Sequence, residues 1–314
     1  MTPATRKTGP LLRLRFLRLV AAGATAMLPL LLLTGCASLF VSKRKLLVPI
    51  APSIVQSASA DELVKRLNDR WAKFQDLTAA ADIRASRLKA KEGVATDYPS
   101  FRAILLINKP NELRILAKVP VLQTTMFDLG SDGTQFTFVV PHNNKVYEGL
   151  NASKGKSPTW YENLRPGFLF DSMYVRGIDN DDFYSVISDS HTEEDPATKR
   201  LLLHPEYILT IQRRKPDSHE LYPVRVIHIH REDLMPYEQD LYDDQGNLET
   251  QVIYGAYKDF EGTKYPGTIT LKRPQDEYQL VMSIERVTIN PDPPLTQDQF
   301  HVAIPDGHTI QKLD

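Results

Sequence analysis

The chain has 314 residues, of which 42% are hydrophobic and 25% charged, with 22 prolines, 15 glycines and one cysteine. These proportions exclude collagen-like, disordered and multi-pass membrane proteins, and a single cysteine excludes an internal disulfide framework or a Cys-rich metal cluster. Residues 1–35 carry five cations and no acid, so the net charge of −1 hides a body with 33 Lys+Arg against 39 Asp+Glu, which excludes the basic body of a nucleic-acid-binding protein.

The head runs from a basic segment (Arg6, Lys7, Arg13, Arg15, Arg18) into an apolar stretch from Leu19 to Leu33 broken by Pro29. At about 15 residues it is short of the ~20 that span a bilayer as a helix, and it has the shape of a secretory signal. It ends in Leu33-Thr34-Gly35-Cys36, which resembles the lipobox of bacterial lipoproteins. That resemblance implies removal of residues 1–35 and diacylation of Cys36, the thiol being the group that receives lipid. A plain export signal or a short membrane anchor holding a cysteine is the alternative. Two or more acyl chains anchor stably, at roughly 0.8 kcal/mol per buried CH₂. Ala37 and Ser38 follow, with no Asp at the second mature position, a pattern similar to that of lipoproteins on the periplasmic face of the outer membrane. Residues 36–58 then read as a tether. Pro49, Pro52 and several Ser and Ala residues discourage regular structure, and such a stretch reaches on the order of 25 Å. Its Ser42-Lys43-Arg44-Lys45 run could touch anionic headgroups.

A helix is expected from Ser59 to Leu77. Ser59 and Glu62 form a capping box, and Leu63, Leu67, Trp71 and Phe74 share one face. Strand-like runs follow, each bounded by turn residues. Phe101 to Ile107 is almost wholly apolar, as for a strand covered on both sides, and Leu113 to Val119 alternates. Met126 to Leu129 and Phe136 to Val140 flank a Ser131-Asp132-Gly133 turn. A short covering helix is expected within 159–174, around Phe168-Leu169-Phe170. Further strands are expected at Tyr207 to Gln212, Val224 to Arg231, Tyr237 to Tyr242, Leu248 to Tyr257, Pro266 to Lys272 and Tyr278 to Ile289, with turns at Asp244–Asn247 and Glu261–Thr263. The order implies an α+β fold: one domain over 59–314 with a large antiparallel sheet that curls, and a few helices.

No motif supplies catalysis, a metal centre or a cofactor. Gly155-Lys156-Ser157 lacks the glycine spacing and the strand–helix setting of a phosphate loop. His228 and His230 stand two apart on a strand and share a face, but spacing identifies no third ligand. His204, His219, His301 and His308 sit beside loop-forming residues. Neither Gly-x-Ser-x-Gly nor His-Glu-x-x-His occurs, so no enzyme is expected.

The stretch Leu113 to Val119, Pro120-Val121-Leu122, Phe127-Asp128-Leu129, Ser131-Asp132-Gly133, Phe136-Thr137-Phe138 and Val146-Tyr147-Glu148-Gly149, with the tail Asp259 to Pro266 and Phe300 to Pro305, resembles the LolA/LolB family of lipoprotein carriers and acceptors. The chain is longer, with extra polar material near 151–160 and 190–220. The resemblance implies an incomplete antiparallel β-barrel around an apolar cavity, covered by helices. It implies binding of acyl chains of lipoproteins or lipids, and their localisation at the outer membrane without covalent chemistry. Client lipoproteins or a periplasmic lipoprotein carrier are then the partners, besides the membrane reached through the lipid anchor. Phe101, Leu105, Ile107, Ile115, Phe127, Phe136 and Phe138 are the expected lining, with Trp71 on the covering helix. Val121 or Leu122 would be the exposed residue that inserts the client. The competing expectation is a non-enzymatic envelope lipoprotein that uses the same fold to hold a protein partner.

Overall fold

The computed structural model describes residues 48–89, 93–119, 121–122, 124–151, 166–195 and 197–313. The capping box forms as expected. The Glu62 N–H donates to Ser59 Oγ at 3.2 Å and the Ser59 N–H to Glu62 Oε2 at 2.7 Å, starting helix α1 (Ala60–Lys73). The helix stops at Lys73, short of Leu77. Asn290 ends it from outside: its amide donates to the Lys73 carbonyl (2.7 Å) and its Oδ1 accepts from the Gln75 N–H (2.8 Å).

From Asp76 the chain is strand. β1 (Asp76–Lys89), β2 (Val94–Asp97), β3 (Phe101–Asn108), β4 (Glu112–Lys118), β5 (Thr125–Ser131), β6 (Gln135–Val140) and β7 (Lys145–Leu150) precede helix α2 (Pro166–Met173). β8 (Phe183–Glu194), β9 (Leu201–Arg214), β10 (Leu221–His230), β11 (Pro236–Tyr242) and β12 (Leu248–Tyr254) follow. The hairpin of β13 (Tyr257–Phe260) and β14 (Thr263–Pro266), then β15 (Thr268–Arg273), β16 (Tyr278–Ile289) and β17 (Thr309–Leu313), complete the set. Fourteen strands lie side by side in the order β17-β7-β6-β5-β4-β3-β1-β16-β15-β12-β11-β10-β9-β8, with β2 a branch on β1. Every pairing is antiparallel except β17 on β7, and β17 and β8 are the two ends, so the sheet is open. It also curves. Ile83 of β1, Phe138 of β6 and Met282 of β16 line one space although β6 lies four places from β1. The fold is thus α+β, an open curved antiparallel sheet with two helices among the described residues.

Several expectations change. β1, with its Thr78-Ala79-Ala80-Ala81 run, pairs with β3 on one side and β16 on the other and joins the two halves of the sheet. β3 is covered on one side only. Phe101, Ala103, Leu105 and Ile107 are buried, whereas Ile104 is exposed and Arg102 pairs with Glu285 on the outer face, because no second layer lies there. His204 lies within β9, not in a loop. The run from Leu248 to Tyr257 breaks after Tyr254, where the Gly255 N–H turns to the Thr268 carbonyl. Phe300 to Pro305 is not a strand; Phe300 ends a short 3₁₀ turn, and Val302 is buried against Val139 and Val146. The expected tether is shorter within the described residues. Ile50 is bridged to Leu202, and the Gln56 N–H donates to the Arg231 carbonyl, so the chain already lies along the sheet before α1.

Two core clusters cover the inner face. One gathers β1, β3–β7, β12, β15, β16 and α2. The other gathers Leu63 and Leu67 of α1 with Tyr207, Leu209, Ile211, Ile227 and Ile229 of β9 and β10. No helix of the described residues is long and apolar enough to cross a membrane.

Candidate functional site

Inside the curve, between the first-half strands and α2, a cavity of about 200 Å³ remains. β1 contributes Ile83 and Ala85, β16 contributes Leu280 and Met282, and Leu169 comes from α2. The β3–β6 hairpins add Phe101, Ile115, Phe127, Leu129 and Phe138. These positions alternate along their strands, so the pleat alone aims them inward. Phe101, Phe127 and Phe138 form a run of edge-to-face rings at 5.3 Å centroid spacing. Among the described residues, Tyr98 and Asn143 are the only polar side chains in the lining. An apolar lining of this kind takes apolar guests, as a ~150 Å³ engineered cavity takes benzene.

The cavity has a mouth. Pro99, Phe101, Met126, Val140 and Asn143 line both it and a wider surface recess of about 1050 Å³. Val119 and Thr124 stand on the rim of that recess, and the Val119 N–H donates to the Thr124 carbonyl (2.9 Å), closing a loop between β4 and β5. Val121 is 94% exposed and Leu122 71% exposed on it. Val121 holds φ +68°, the left-handed region that β-branched residues rarely enter, so the loop tip keeps two apolar side chains in water on a strained backbone.

Of the expected lining residues, Phe101, Ile115, Phe127 and Phe138 face the cavity. Leu105 and Ile107 are buried core of the same strand but leave no space beside them. Phe136 packs against Gly149, where even a Cβ would lie 2.9 Å from its ring. Trp71 lies outside the cavity. Its ring meets Phe74 (5.5 Å), Tyr174 (6.1 Å) and Phe170 (6.4 Å), and Lys109 Nζ sits 4.0 Å from its centroid. Burial there pushes the Lys109 amine below its ordinary value. Leu280 and Met282 were accessible to the same alternation argument that found the phenylalanines. Ile83 and Ala85 were not, because β1 carried no strand signal. Leu33, Thr34, Gly35, Cys36 and Gly155-Lys156-Ser157 lie outside the described residues.

On the outer face, His228 and His230 do share a side. His228 Nδ1 lies 2.9 Å from Glu206, whose other contacts are the Tyr237 hydroxyl (2.5 Å) and His191 (3.2 Å). His230 instead stacks on Tyr237 at 4.0 Å. Glu238 and Asp240 of β11 stand beside His228, and burial holds both carboxyls above the usual range, the Asp240 charge adding to the effect at Glu238.

No model of a known protein family matches the chain, and no curated protein matches it. Solved structures do. A LolA superfamily protein of Nitrosomonas europaea aligns with TM-score 0.47 and 11% identity over 77% of this chain and 100% of its own. A DUF1329 family protein of Desulfovibrio piger aligns with TM-score 0.46 and 13% identity over 77% and 98%. A domain assigned by name to outer-membrane lipoprotein sorting, from Vibrio parahaemolyticus, aligns with TM-score 0.47 and 12% identity over 77% and 97%. At these scores the chain's own strand pairing defines its fold.

Proposed function

We propose that this protein is a lipid-anchored envelope protein that holds acyl chains of lipoproteins or lipids in its apolar cavity and helps place them at the outer membrane. One observation carries the reading: an apolar cavity opens into a recess bordered by Val119 and Thr124, and the segment between these two exposes Val121 and Leu122 to water. Acyl chains leave water for such a lining at about 25 cal/mol per Å². The loop tip gains by entering a bilayer, roughly 1.5–3 kcal/mol for each large side chain buried. Delivery is then downhill, with neither a nucleotide nor a covalent step. The lipobox-like Leu33-Thr34-Gly35-Cys36, whose Cys36 would carry the anchoring lipid, supports the reading. Client lipoproteins, or a carrier that brings them, are the partners.

A second reading, an envelope module that holds a protein, draws on β8. This edge strand exposes Phe183, Tyr184 and Ile187, and an edge can pair with a partner's strand. Mass spectrometry of molecules extracted from protein purified without denaturant separates the two. Co-purifying acyl chains are expected; an empty cavity that also fails to take up a fluorescent fatty acid favours the module. A Val121→Glu, Leu122→Glu double variant should still bind the fatty acid but deliver it to vesicles at least tenfold more slowly. Unchanged delivery removes the insertion role.

A further inference from the structure

The outer face of the sheet's second half carries a polar constellation that the acyl-binding reading does not use. One imidazole nitrogen of His228 on β10, one carboxylate oxygen of Glu238 and one of Asp240 on β11 all lie within 4.8 Å of one another. Register brings them together. His228 faces Glu238 across the antiparallel ladder, and Asp240 lies one pleat further on the same face. Oδ1 of Asp240 is buried with no hydrogen-bond partner, a cost that the fold leaves in place.

The neighbours hold these groups in the manner of a metal centre. Glu206, 4% exposed, takes the Nδ1 side of His228. The Tyr237 hydroxyl donates to the same Glu206 oxygen, so that oxygen acts as an acceptor, and the hydrogen between it and the imidazole belongs to Nδ1. Nε2 of His228 is then the nitrogen with a free lone pair. A buried carboxylate behind an imidazole is the arrangement that fixes the tautomer and ring orientation of a metal-ligating histidine. Behind the acids, the Gln251 amide donates to Glu238 Oε1 at 3.0 Å, and Lys272 Nζ donates to the Gln251 oxygen at 3.2 Å. His228 and Glu238 are thus each held by a neighbour that is itself held, while Asp240 Oδ1 is left for an ion to satisfy.

We infer that His228, Glu238 and Asp240 form a binding site for a divalent first-row transition cation, best suited to Zn²⁺. One imidazole with two carboxylates is the mixed nitrogen–oxygen set that such ions take, whereas Mg²⁺ and Ca²⁺ prefer oxygen alone. Tetrahedral ligand atoms at bonds of about 2.1 Å sit about 3.4 Å apart, so a modest inward rotation of the two acids closes the site. The ion neutralises the adjacent carboxylates and satisfies Asp240 Oδ1, with a remaining position open to water. It also ties β10 to β11 beside the bulge at His228/Ile229.

The test titrates Zn²⁺ into the full-length protein by calorimetry and follows thermal unfolding with Zn²⁺, with Mg²⁺ and with EDTA. One Zn²⁺ per chain is expected, with a rise in unfolding temperature that Mg²⁺ at the same concentration does not give. Glu238→Gln and Asp240→Asn should each weaken Zn²⁺ binding more than tenfold and abolish that rise. Each should also unfold in EDTA no lower than the parent, because each removes a buried charge; either variant that does so suffices. Glu206→Gln, acting only through His228, should weaken binding by ~10–100-fold. The proposal is overturned if both carboxylate variants bind Zn²⁺ as the parent does. It is equally overturned if His204→Ala, at the neighbouring His204–Glu232 pair, is the change that abolishes binding, or if Mg²⁺ stabilises as well as Zn²⁺.

Discussion

Beneath α1 the sheet is filled; beneath α2 it is not. In the β9–β10 region Leu63 and Leu67 drop from a fourteen-residue helix onto Leu209, Ile211, Ile227 and Ile229, all nearly inaccessible to solvent. A space beside Leu67 and Arg70 is only about 20 Å³. In the β1–β6 region the cover is an eight-residue helix from which Leu169 reaches the cavity, and about 200 Å³ stays open. Both regions offer the same kind of inward alternating strand. Among the described residues the difference lies in the helices on top: α1 seats Leu63 and Leu67 on its strands, whereas α2 brings Leu169 to the edge of an open space.

The sharpest break of that contrast is Leu67→Ala. It should create a void in the filled half and cost ~2–5 kcal/mol, read as a lower midpoint in urea at unchanged slope. If it costs well under 1 kcal/mol, the second cluster is not the tightly packed half. Ala85→Phe tests the open half. A ring added at this lining position should go into existing space, with a stability change of less than ~1 kcal/mol and fatty-acid affinity at least tenfold lower. A large loss of stability would mean that the space is not there to be filled. The most local effect is Ser59→Ala at the start of the covering helix, about 1 kcal/mol. It carries a pH signature. Bonds from Ser59 hold the Glu62 carboxyl below its usual value, so that contribution is present above the unfolded carboxylate pKa and fades as pH falls through the folded one. The Ser59 backbone N–H, the largest cause of that lowering, remains in the Ala variant, so only the part carried by the Ser59 hydroxyl should narrow the gap between parent and variant in acid.

Legibility in the sequence followed the same divide between local and distant causes. α1 was readable because its cap and its 4-4-3 apolar spacing are local, and the Ser131-Asp132-Gly133 turn because Asp132 caps its own hairpin. Half of the expected lining could be found by alternation on β3 to β6. β1 could not, since a run of three alanines has no strand preference of its own and becomes a strand through ladders formed on both sides. β8 was hidden for a similar reason: its second part, Ser188 to Glu194, is polar on both faces, and the strand is held by twelve paired positions with β9. Val121 and Leu122 were visible as apolar neighbours in a turn, while the recess beside the Val119 and Thr124 ends of that turn depended on register. For His228 the strand pattern showed the imidazole, but its carboxylate companions belong to the next strand, and a bulge sets which ones they are.

The parallel pairing of β17 on β7 has a consequence for how the molecule is made. β7 forms early in the chain, and its outer edge is covered by Thr309–Leu313, with β8 to β16 synthesised in between. Until those last residues arrive, β7 presents a bare row of backbone donors and acceptors, the feature that invites pairing with a neighbouring chain. Assembly quality thus hangs on timing: a product stopped before residue 309 would fold most of its sheet and still carry an adhesive edge at β7.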